Sequence, residues 1–69
     1  MNRVTEEQKQ ALYIYFNQLV DDAENKKQLL SIQSDFIDLS ERDVFTEVQV
    51  KEFINKVVGK YIEFKNRIL

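Results

Sequence analysis

The stretch VQVKEFINKVVGKYIEFKNRIL, residues 48–69, places Val50, Ile54, Val57, Tyr61, Phe64 and Ile68 at alternating steps of four and three. Apolar residues at that spacing fall on one side of an α-helix, because each step of three or four returns the chain to the same face. With Ile54 as origin and 100° per residue, the apolar arc runs from Phe53 at about −100°, through the series just named, to Val58 and Ile62 at about +40° and +80°. An arc of about 180° is wider than the two heptad positions of a coiled coil and suits a helix packed against two others. The six residues of the series are the expected core or self-association positions of this helix. Lys65, about 20° from Ile54, is accommodated if its stem packs while its ammonium reaches water. Gly59 falls on the polar face, where it costs about 1 kcal/mol of helix propensity relative to Ala.

Working outward from this segment, the rest of the chain also reads as helix. There is no Pro and Gly59 is the only Gly, so the turn chemistry that hairpins and sandwiches depend on is nearly missing. At VTEEQ, Thr5 and Gln8 have capping-box spacing, and Glu6 and Glu7 suit the positive end of a helix dipole. Leu12, Phe16, Leu19 and Ala23 follow at steps of four, three and four, flanked by Tyr15 and Val20. Around DDAENKK, residues 21–27, the phase breaks. Heptad extension of the first stripe selects Lys26, Leu30, Gln33 and Ile37, whereas the stronger apolar set is Leu29, Ile32, Phe36 and Leu39. A turn is indicated, with Asp21 and Glu24 as the expected capping pair; one long kinked helix is the alternative. In DLSERDVFTE, residues 38–47, both Ser40 and Thr46 suit an N-cap. Thr46 is preferred because it leaves Val44 and Phe45 just ahead of the helix, one of them able to staple onto Val50. A strand over VFTEVQV is the competing assignment, and it lacks a second strand to pair with. The predicted helices lie near residues 6–21, 23–38 and 46–67, in one domain spanning 1–69.

At 69 residues, with no Cys, such a chain has a small core and no covalent staple, and pairing with a second copy enlarges that core. The expected fold class is all-α: a small three-helix bundle or helical hairpin, packed as a homodimer.

Composition also narrows the chemistry. Without Cys or His, a thiolate nucleophile, the commonest general base and the usual zinc ligands are all missing. No nucleophile has a base at a recognisable spacing, so no enzymatic activity and no cofactor are expected. Asp35, Asp38, Glu41 and Asp43 match no calcium-loop spacing and are expected to be a solvated acidic end. The longest apolar run, residues 11–16, is far short of the roughly 20 residues a membrane span needs. No membrane partner is expected, and the cytoplasm is the expected location. Net charge is −2, divided as −5 over residues 1–50 and +3 over 51–69. Lys56, Lys60 and Arg67 alternate with Glu52 and Glu63, which weakens a case for nucleic acid and favours pairing with the acidic first two helices.

What remains is binding to protein. The expected role is a regulator or adaptor that occupies a surface of a larger protein partner; the alternative is a structural subunit that assembles with itself. A docking surface is expected at Ile14, which projects about 200° from Leu12 on the first helix. Its flanking residues Tyr13, Asn17 and Gln18 carry no charge and are inexpensive to desolvate.

Overall fold

The computed structural model of the chain describes residues 5–67 and contains three helices: α1 (Glu6–Asp22), α2 (Lys26–Ser40) and α3 (Glu47–Arg67). Among the described residues there is no strand, and VFTEVQV divides into a buried connection and the first turn of α3. All three helix pairs are in contact. The result is a three-helix bundle, because α3 packs back on both of the others, which excludes a simple hairpin.

Capping explains where the helices start. Thr5 accepts the Gln8 amide at 3.1 Å while the Gln8 side chain accepts the Thr5 amide at 2.9 Å. Thr46 and Gln49 repeat the reciprocal pair at 3.1 and 3.0 Å. The start of α2 differs from the sequence expectation. Asp21 remains helical and the cap is Asn25, whose side chain accepts the Gln28 amide at 2.8 Å; Gln28 in turn accepts the Glu24 amide at 2.8 Å. The physical reason is that Val20 is fully buried and the Asp21 carboxylate is taken by Lys56 of α3 at 3.0 Å, which holds both residues in the last turn of α1 and leaves Asn25 to cap α2. α2 ends at a turn in which Asp43 adopts φ 59°, a left-handed conformation that a short polar side chain tolerates better than most.

The bundle is organised around aromatic rings. Phe36 of α2 stacks on Phe53 of α3 (centroids 3.7 Å, planes 9° apart) and on Phe45 of the connection (4.3 Å, 10°). Phe16 of α1 meets all three rings edge-on, at 5.5, 6.2 and 6.2 Å. Such edge contacts align the positive rim of one ring with the negative faces of the others. Val20, Leu29, Val44, Val57 and Phe64 extend this core along the axis, and Val50, together with Leu12, Tyr13, Leu19, Ile32, Leu39 and Ile54, packs against its margins.

The buried side of α3 is rotated from the predicted arc. Its innermost residues are Phe53, Val57 and Phe64, centred about 80° from Ile54. Ile54 is half-buried, whereas Val58, Tyr61 and Ile62 are exposed. Ile68 lies outside the described residues. Phe53 determines the rotation, because its ring belongs to the stack. Gly59 faces solvent, and a Cβ built on it meets nothing within 4 Å. Gly59→Ala is therefore expected to stabilise the fold by about 0.5–1 kcal/mol through helix propensity alone, checked by urea unfolding followed by circular dichroism.

Candidate interaction surfaces

Three long surfaces run between neighbouring helices, and their chemistry differs. Polar contacts close the α1–α3 surface. Lys56 Nζ lies 3.0 Å from the Asp21 carboxylate and donates to Asn17 Oδ1 at 3.2 Å. Lys60 Nζ donates to the Asp21 carbonyl at 3.1 Å and sits 5.6 Å from the Phe64 ring centroid. Asp21 occupies the last turn of α1, where the helix dipole disfavours an acid; the two lysines of α3 offset that. Part of the basic character of α3 is thus used within the molecule, against the acidic α1.

The expected docking residues divide between two environments. Ile14 is 53% exposed and Gln18 is also exposed. Tyr13 and Asn17 are half-buried and turn toward the rest of the bundle. The Tyr13 ring packs against Phe36 and Phe45 at 6.4 and 6.1 Å. The Asn17 amide donates to the Tyr13 carbonyl at 2.8 Å, and its oxygen takes the Lys56 bond. The structure therefore leaves Ile14 and Gln18 as the outward pair and employs the other two in holding α1 to its neighbours.

The α2–α3 surface carries several exposed apolar side chains. Leu30, Ile37, Val58 and Tyr61 are exposed there, Leu30 and Val58 at about half of their area, and Ile54 lies half-buried beside them. Leu30, Gln33, Val57, Val58 and Tyr61 line one shallow cleft between the two helices. Lys26 Nζ stands 5.8 Å from the Tyr61 ring centroid. On α2 the participants are Lys26, Leu30, Gln33 and Ile37, the weaker of the two stripes visible in the sequence. α2 carries both: one stripe enters the core, and the other lies beside α3 facing solvent.

Among the described residues no group of three acidic side chains is arranged to hold a metal ion. Asp38 is instead paired with Arg42 at 3.7 Å. No helix among them is long and apolar enough to cross a membrane. No protein family, curated protein or solved structure matches the chain.

The Lys56 tie is partly exposed, with side-chain exposures of 34% for Lys56 and 62% for Asp21, so solvent screens it. Lys56→Met is expected to cost about 0.5–1 kcal/mol in urea unfolding, and high salt should narrow the difference from the wild type.

Proposed function

We propose that this chain is a small non-enzymatic protein–protein interaction module that works as a homodimer joined through the α2–α3 face. Ile14 and Gln18 then form the surface offered to a larger protein, in the manner of a regulator or adaptor. The observation that carries this reading is that Leu30, Ile37, Val58 and Tyr61, all exposed, adjoin one another along one face of a very small fold. Scattered exposed aliphatics are ordinary, whereas a contiguous apolar strip with polar margins is the signature of an interface. Ile14 is exposed on α1, outside the α2–α3 face, so dimerisation through that face leaves both of its copies accessible.

A self-assembling structural subunit is the second reading. It draws support from Tyr15, 54% exposed, which with Gln8, Ala11 and Leu12 forms another apolar depression on α1. A chain using both faces would grow beyond a dimer.

Sedimentation equilibrium separates these readings. The dimer is expected across micromolar concentrations, and Val58→Asp should yield a helical monomer; a monomeric wild type would refute the dimer, and a mass that keeps rising would favour the subunit. Ile14→Glu should remain dimeric with an unchanged melting temperature and lose a foreign partner captured by the wild type. Retained capture would move the docking surface elsewhere.

A further inference from the structure

We infer that the α2–α3 face is complementary to a second copy of itself turned end for end, so that α3 runs antiparallel to α3 of the partner copy, and α2 to α2. This rests on the homodimer proposed above and adds its geometry. Within one chain α2 and α3 are antiparallel: Lys26 lies at Tyr61, Leu30 beside Val57, Val58 and Tyr61, and Phe36 on Phe53. Continuing that alignment brings Glu41 level with Glu47 at one end of the face. Lys26 and Lys65 lie toward the other end, and the apolar strip runs between.

The charges distinguish the two ways of pairing such a face with itself. A two-fold axis parallel to the helices superposes like ends, gathering four carboxylates at one end and four ammonium groups at the other. A two-fold axis across the helices brings each acidic end onto a basic one. Like-charge contacts across an interface are strongly penalised and opposite ones set its register, so the crosswise axis is selected.

The register is consistent on both helices. Glu47 and Lys65 are centred on position 56, and Lys26 and Glu41 between positions 33 and 34. The contacts between α2 and α3 bring positions 33 and 34 level with 54 and 55, so the two centres agree to about 2 Å along the axis at 1.5 Å rise per residue. The same axis sets Leu30 against Ile37 of the partner copy and Ile54 against Val58. Along the strip apolar residues meet apolar residues, and at the ends Glu41 meets Lys26 and Glu47 meets Lys65, while Lys51 comes level with Tyr61 of the partner copy, beside which Lys26 already stands.

Two charge-reversed chains test the arrangement: Glu41→Lys with Glu47→Lys, and Lys26→Glu with Lys65→Glu. By sedimentation velocity at low salt, each alone is expected to self-associate about tenfold or more weakly than the wild type, and an equimolar mixture should form a heterodimer. Wild-type affinity should also fall as salt rises. If the dimer exists and Val58→Asp dissociates it, yet both reversed chains pair with themselves as the wild type does, the end-for-end geometry is wrong while the interface stands. A wild-type affinity that does not fall with salt would overturn the end pairing even if the variants do not fold. A wild-type monomer overturns both the geometry and the dimer.

Discussion

The ring of Phe36, held between Phe45 and Phe53 and met edge-on by Phe16, is the interaction on which the rest of the structure depends. It joins all three helices and the connection before α3 at one point. In a chain without disulfides, few other groups supply as much buried area. The stack also fixes rotation. Once Phe53 must point at Phe36, Ile54 turns toward the flank, and Val58 and Ile62 turn further out. The exposed strip on the α2–α3 face is thus a geometric consequence of how the core is built.

The polar surface between α1 and α3 follows from the same constraint. With Phe53, Val57 and Phe64 inward, Lys56 and Lys60 project along the side of α3 that faces α1. There they meet Asp21, an acid at an unfavourable helix end. These contacts are partly solvated and modest in energy. Their larger effect is to occupy one surface of the bundle with satisfied polar groups.

Much of the fold was legible in the sequence. Of Val44 and Phe45 only one was expected to pack, as a staple on Val50, and both are buried. The caps at Thr5 and Thr46 and the inward set Leu29, Ile32, Phe36 and Leu39 follow from local chemistry and periodicity. The rotation of α3 did not, because the true inward series, Phe53, Val57, Lys60 and Phe64, is broken by a lysine whose stem packs while its ammonium reaches Asp21. A pattern of apolar letters then favours the uninterrupted series through Ile54 and Tyr61. α2 posed a related difficulty. Its two stripes looked like a choice between phases, yet both are present, and only tertiary packing assigns one inward and the other outward. The outward direction of Ile14 was readable from helical geometry alone. The roles of Tyr13 and Asn17 were not, since they depend on Phe45 and Lys56, which are distant in sequence.

If the core turns an apolar strip outward to meet its own copy, methyl groups on that strip must contact one another between chains. An isotope-filtered nuclear Overhauser experiment on a mixture of labelled and unlabelled protein measures this directly. Leu30 and Ile37 stand on one side of α2 about 10 Å apart along the helix, too far for a strong contact within one chain. The account predicts intermolecular cross-peaks between Leu30 and Ile37 and between Ile54 and Val58. Intermolecular peaks confined to α1, or none at concentrations where the protein is dimeric, would contradict it.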